Sequence, residues 1–329
     1  MKTAIADRHP RESFEIADKM HFLYVKTPEE MDRVFFGQLK KTGLDYFDYY
    51  LIHGVSDLNI SKYENLNSFN WLEEKKAAGL IRHTGMSFHG TPDCLEKILT
   101  EHPELEYVQL QINYHDWDYP MVRSRECYEV AARYGKKIII MEPCKGGNLA
   151  KLPEEAESLL KKHDPDASCA SWAMRFAGSL PNVEVVLSGM SSDEMFTDNA
   201  KTFADLKPLS AEERALTEEV SRIIDSNTAI ACTGCSYCTA GCPIGMPIPQ
   251  YFELYNALKR HCNQGEYVPT IENEYIRIRK HGAPRAMEWA ECGACEGACP
   301  QGLKIIEGLK AVAEHFDAIK LAQLKKEKG

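Results

Sequence analysis

Between residues 13 and 206, six short apolar runs alternate with longer amphipathic stretches, and no other feature narrows the fold so far. The runs cover 13–19, 49–54, 83–89, 107–115, 137–144 and 183–189. Between the first two, residues 28–43 place Met31, Val34, Phe35 and Leu39 at helical spacing. Gly43, Gly79 and Gly135 stand just past three such stretches, where a helix end favours glycine. Strands separated by helices of this length form βαβ units and pair in parallel. Each run ends on polar or ionisable residues: Lys19; His53; Ser87 and His89; Asn113; Glu142; Ser188. An α/β barrel keeps its chemistry at that edge. A doubly wound sheet alternates in the same way, but no glycine fingerprint follows the first strand. The expected fold is therefore α/β, an incomplete (β/α)8 TIM barrel of about six βα units.

The cysteines predict a second domain. Seven of the twelve lie in two short runs. Cys232, Cys235, Cys238 and Cys242, followed by Pro243, spell C-x2-C-x2-C-x3-C-P. That spacing gives three thiolates to one [4Fe–4S] cluster and the fourth to its neighbour, whereas zinc sites use isolated C-x2-C pairs. The second run keeps the register with Cys292, Cys295 and Cys299-Pro300, but Trp289 stands where its first cysteine would be. In the crossed arrangement Cys232, Cys235, Cys238 and Cys299 hold one cluster. Cys242, Cys292 and Cys295 hold the other, which is [4Fe–4S], or [3Fe–4S] if the iron without a thiolate is lost. Cys262, between the runs, is either the missing ligand or an ordinary thiol. Cys94, Cys127 and Cys169 lie alone in helix-like segments and read as small buried apolar residues.

Residues 1–206 are expected to form the partial barrel and 229–329 a helical two-cluster ferredoxin-like domain. A linker helix spans 207–228, opened by a capping box of Ser210 and Glu213. The charged opening MKTAIADRHPRESFE does not read as a signal peptide, and no apolar run approaches the ~20 residues of a membrane helix. With 39 Lys and Arg against 49 Asp and Glu, the net charge of −10 argues against a nucleic-acid partner. The expected location is the cytoplasm, where clustered thiols serve as metal ligands rather than disulfides.

RESFEIADK, LDYFDYYLIHG, WLEEKKAAGLIRHTGMSFHG, VQLQINY, IIIMEPCKGG and LSGMSSDEMFTDN, taken in order, resemble the aldo/keto reductase family. With the cysteine runs, the similarity is to its branch with a C-terminal iron–sulfur domain. The resemblance implies a (β/α)8 barrel that transfers hydride between a nicotinamide and a carbonyl. It makes Lys19 the catalytic lysine and His53 the catalytic histidine. Gln109 matches the amide that holds the nicotinamide carboxamide and Asn199 the residue that meets the adenine. Ser87, Asn113 and Ser188 fall among the expected cofactor contacts. The family's Asp and Tyr, on a D-x-x-x-x-Y segment, are expected to lie upstream of residue 1 with two further strands. Gly189 and Met195 stand where NADPH-using members carry Lys and Arg, and Met141 falls near the position of the ring that stacks on the nicotinamide.

These observations predict an iron–sulfur oxidoreductase acting on a small molecule at a site around Lys19, His53, His89 and Glu142. Its electron carrier is NAD(P) or a flavin, and a redox partner protein exchanges electrons with the clusters. The rival reading is an electron-transfer or redox-sensing subunit whose barrel is an inactive scaffold. Six strands cannot close an eight-stranded barrel, so Ile16, Val185 and Leu187 are expected to face a gap.

Overall fold

The computed structural model describes residues 1–21, 24–57, 59–119, 122–226, 228–232, 234–262, 269–299 and 301–326, without the side chains of 260–262, 269–270, 273 and 318–326. The chain divides into two compact units, Met1–Lys151 with Asp164–Glu218, and Leu152–His163 with Glu219–Gly329.

The first unit is built on β1 (Ala17–Met20), β2 (Phe47–Val55), β3 (Ile81–Phe88), β4 (Tyr107–Gln111), β5 (Lys137–Met141) and β6 (Val183–Val186). They form one sheet in sequence order, every pair parallel. Several strands are shorter than the sequence pattern suggests. Beyond Ile112 and Leu187, whose N–H groups still donate to the Met141 and Ile140 carbonyls, and beyond Met141, the chain leaves the ladder for local turns. Asn113 Oδ1, for example, accepts from the backbone N–H groups of His115 and Asp116 at 3.1 and 2.8 Å.

The register aligns Lys19 with Leu51, Leu51 with Gly85, and Gly85 with Tyr107. On that face Leu51, Tyr107 and Ile139 pack with Tyr49 and Val185 into an apolar layer. Gly85 makes room for it: a Cβ there would lie 2.6 Å from the Tyr107 carbonyl oxygen. β1 and β6 are the two edges of the sheet. Leu187 is 40% exposed, whereas Ile16 and Val185 are half-buried, so the expected exposure is met fully by Leu187 alone.

Helices cover the strands. Pro28–Thr42 starts on Thr27, whose hydroxyl accepts from the Glu30 N–H, and stops at Gly43 with φ 73°. Its Phe35 meets Phe47, Tyr50 and Trp71 at steep interplanar angles, 5.0–5.7 Å between centroids. Ser210 and Glu213 exchange both hydrogen bonds of the capping box at the start of helix Ala211–Ser226.

The described residues of the second unit form helices joined by turns and irregular segments, with no strand among them. Helices Ile248–Cys262, Pro269–Lys280 and Ile305–Lys326 enclose Tyr251, Phe252, Tyr275 and Phe316. Each cysteine run folds as a turn and a short helix, Tyr237–Ala240 in the first and Ala294–Gly297 in the second. The left-handed residues repeat as well. Gly234, Ser236 and Gly245 have φ 73°, 64° and 65°; Glu291, Gly293 and Gly302, each 57 positions later, have 48°, 69° and 59°.

Candidate functional site

Lys19 and His53 come to the C-terminal edge of β1 and β2 on the face that holds the apolar layer. His53 sits in an irregularity of the β2–β3 ladder between Ile52 and Val55. Three bonds fix the bend. The Gly54 N–H donates to Ser87 Oγ at 2.7 Å, Asn59 Nδ2 donates to the Gly54 carbonyl at 2.8 Å, and the Tyr63 hydroxyl donates to the His53 carbonyl. Gly54, at φ 71°, supplies the left-handed conformation the bend requires. Behind β1, Gln38 donates to Asp18 Oδ1 and to the Lys19 carbonyl, and accepts from the Tyr50 hydroxyl.

His21 stands edge-on to His53, ring centroids 5.0 Å apart. Burial, then the charge of Lys19 and the imidazoles of His21 and His89, push His53 down from 6.5 to about 4. Burial also lowers His21, and burial with Lys19 lowers His89, although the latter residue is exposed. Burial makes the Lys19 ammonium more acidic, opposed by Asp18 beside it. Near neutral pH the edge therefore carries neutral imidazoles around one basic amine. Sequence reasoning missed His21, yet the signal was present: the alternation through Ala17 and Lys19 continues to it.

The polar residues beneath have structural partners. Gln109 is buried and donates to Met141 Sδ at 3.1 Å. Asn113, fully buried, donates to Asp116 Oδ2 at 2.8 Å and to the Glu142 carbonyl at 3.1 Å. Asp116, which no sequence pattern singles out, is a wholly buried carboxylate that also accepts from Gln111 Nε2 and Lys145 Nζ. Burial would raise it, but His115, Lys145 and Asn113 together hold it well below the usual carboxylate range.

A cavity of about 710 Å³ opens beyond β5 and β6, lined by Glu142, Cys144, Met174, Ser188, Met195 and Asn199 among others. Asn199 Nδ2 donates to Ser188 Oγ at 2.9 Å. Gly189 and Asp198 also line it, and among the described residues no lysine or arginine does. The structure thus gathers the candidates into two groups at this edge, Lys19, His53 and His89 in one and Glu142, Ser188 and Asn199 in the other. Ser87, Gln109 and Asn113 are buried supports among them.

In the second unit the thiols sort into two clefts. Cys232, Cys235, Cys238 and Cys299 line one, with Phe252 and Ile305. Cys242, Cys292 and Cys295 line the other, with Met246, Trp289 and Glu291. All seven are free thiols, and the Met246 N–H donates to Cys242 Sγ at 3.3 Å. Among the described residues no three His, Cys, Asp or Glu converge on a single-metal site. A tetrahedral zinc needs its donors within about 2.3 Å, closer together than the thiolates around a cubane. The clefts enclose only about 10 and 20 Å³. The Cys262 side chain lies outside the described residues.

The aldo/keto reductase family pattern matches residues 1–222. No curated protein matches the chain. Among solved structures it is similar to an aldo-keto reductase of Bacillus halodurans in its holo form, with 22% identity over 65% of this chain and 74% of that one, TM-score 0.54. A thermostable aldo-keto reductase bound to the inhibitor epalrestat shares 22% identity over 67% and 75%, TM-score 0.55. An aldo/keto reductase of Klebsiella pneumoniae in complex with NADP and acetate shares 17% over 64% and 71%, TM-score 0.52. At these identities the structural likeness shows the fold alone.

Proposed function

The chain belongs to the aldo/keto reductase family, and on that premise we propose that it is an iron–sulfur oxidoreductase interconverting a small carbonyl compound and its alcohol. The observation that carries the reading is the meeting of Lys19, His21, His53 and His89 at one strand edge, with His53 kept neutral. A neutral imidazole N–H donates a hydrogen bond to a carbonyl oxygen and orients it. The Lys19 ammonium stabilises the alkoxide forming there and, being more acidic than an ordinary lysine, gives that oxygen its proton. His21 holds the His53 ring from its edge. A bound nicotinamide supplies the hydride.

The cavity beyond β5 and β6 falls in the size range of small-molecule sites. In this reading Ser188 and Asn199 hold the adenosine part of the carrier and Gln109 its carboxamide. Gly189, Met195 and Asp198 offer no cation to a 2′-phosphate, which favours NADH over NADPH. Residues 1–206 act as the redox domain, 207–228 as the link, and 229–329 as the cluster domain. The donor sets of the two clefts suit iron–sulfur clusters: four thiols in one, three in the other, and an amide N–H on Cys242. The clusters, when bound, supply one-electron steps and pass electrons to or from a partner protein in the cytoplasm.

Anaerobic calorimetric titration with NADH, NADPH and flavins tests the site. NADH should bind at least ten-fold more tightly than NADPH, and Lys19→Met should abolish carbonyl reduction while leaving NADH binding in place. A chain that binds none of these carriers is a scaffold, and the proposal fails.

A further inference from the structure

We propose that the Glu291 carboxylate is the fourth ligand of the cluster in the second cleft, taking the place of the thiolate that Trp289 cannot provide. The inference rests on the iron–sulfur reading above and deepens it. The two cysteine runs are copies in sequence and in backbone: short helices Tyr237–Ala240 and Ala294–Gly297 match, as do three left-handed positions in each. Position 289 therefore corresponds to Cys232, a thiol of the first cleft, but carries an indole. The second cleft is left with Cys242, Cys292 and Cys295, one thiol short of the first.

Glu291 occupies the position of Gly234 in the first run. Both residues are left-handed, at φ 48° and 73°, a region in which a glycine is at ease and a glutamate is rare. The second copy thus places a side chain where the first has none, on the turn between the missing ligand and Cys292. Glu291 lines the cleft with the three thiols. Its Oε1 accepts from Trp289 Nε1 at 3.2 Å, so the indole that replaces the cysteine also holds the carboxylate. A carboxylate accepts at two oxygens, and one hydrogen bond leaves capacity for a metal. Met246, also in the cleft, offers only a weakly donating thioether. Glu296 is otherwise engaged, accepting from the Ile306 N–H at 2.9 Å.

The test is a four-member series of the full chain reconstituted anaerobically with ⁵⁷Fe and sulfide: wild type, Glu291→Gln, Trp289→Cys and the double variant. The readouts are iron and sulfide per chain, Mössbauer spectra and EPR of the oxidised protein. Wild type should hold about eight irons, one with the Mössbauer signature of a site lacking thiolate. Glu291→Gln should fall to about seven and show the EPR signal of a three-iron cluster. In Trp289→Cys the same Gln substitution should change nothing, because a thiolate then holds that iron. Wild type that itself holds seven irons with the three-iron signal would overturn the proposal, as would a Glu291→Gln protein identical to wild type. If Cys262→Ser alone produces the three-iron signal, Cys262 is the ligand and Glu291 is not. Wild type that takes up zinc and no sulfide refutes the iron–sulfur reading itself, a result distinct from each of the others.

Discussion

His53 is held near 4 while its ordinary value is 6.5. Between those values the unfolded chain binds a proton that the folded chain does not, so stability rises with pH across the window. The contribution is complete above about pH 6.5 and is lost as pH falls toward 4. Because the ring is half-buried, solvent screening reduces it to about 1 kcal/mol. His53→Gln should flatten the pH dependence of the urea midpoint between pH 4.5 and 7, leaving a smaller slope from His21 and His89. Asp116 is a different case. Its carboxylate is wholly buried, and Lys145 is the cation that accompanies it. Lys145→Met leaves that charge with hydrogen bonds alone and should destabilise the first unit by about 3 kcal/mol in urea unfolding. Of the two centres, His53 was legible in the sequence because a strand pattern ended on it. Asp116 was not, since its burial is set by Asn113, Gln111 and Lys145, which the fold alone brings together.

At the scale of elements, two glycines with the same side chain have opposite roles. A Cβ on Gly85 of β3 would meet the Tyr107 carbonyl at 2.6 Å and its ring at 2.7 Å. Gly85→Ala should destabilise by about 2 kcal/mol, because β4 cannot retreat from the ladder. Gly37, inside the helix Pro28–Thr42, has nothing within 4 Å of its built Cβ. Gly37→Ala should stabilise by about 0.5–1 kcal/mol, and paired thermal melts of the two variants check both signs. The six strands were readable because each is an apolar run flanked by a helix of clear period. Their ends were not, because Asn113, Glu142 and Ser188 look like continuations of a strand until the loops that engage them are known. The helix Glu154–His163 carries an amphipathic pattern like its neighbours, and nothing local in it announces that it groups with the second unit.

For the whole molecule, the division into two units predicts two unfolding transitions, and the seven thiols of the two clefts lie in the second unit. Reconstitution with iron and sulfide should raise the midpoint of one transition by at least 5 °C and leave the other within 1 °C, since a ligand stabilises only the unit that binds it. Differential scanning calorimetry of the apo and reconstituted chains reads this directly, and equal shifts in both transitions would contradict it. The crossing of the thiols has a consequence in time. One cleft draws on Cys299 and the other on Cys292 and Cys295, so neither donor set exists while only the first run has emerged from the ribosome. At ~5–20 residues per second, the 67 positions from Cys232 to Cys299 take roughly 3–13 seconds to synthesise. On the proposed iron–sulfur reading, the four thiols of the first run wait through most of that interval, and loading of either cleft follows only once translation has passed the second run.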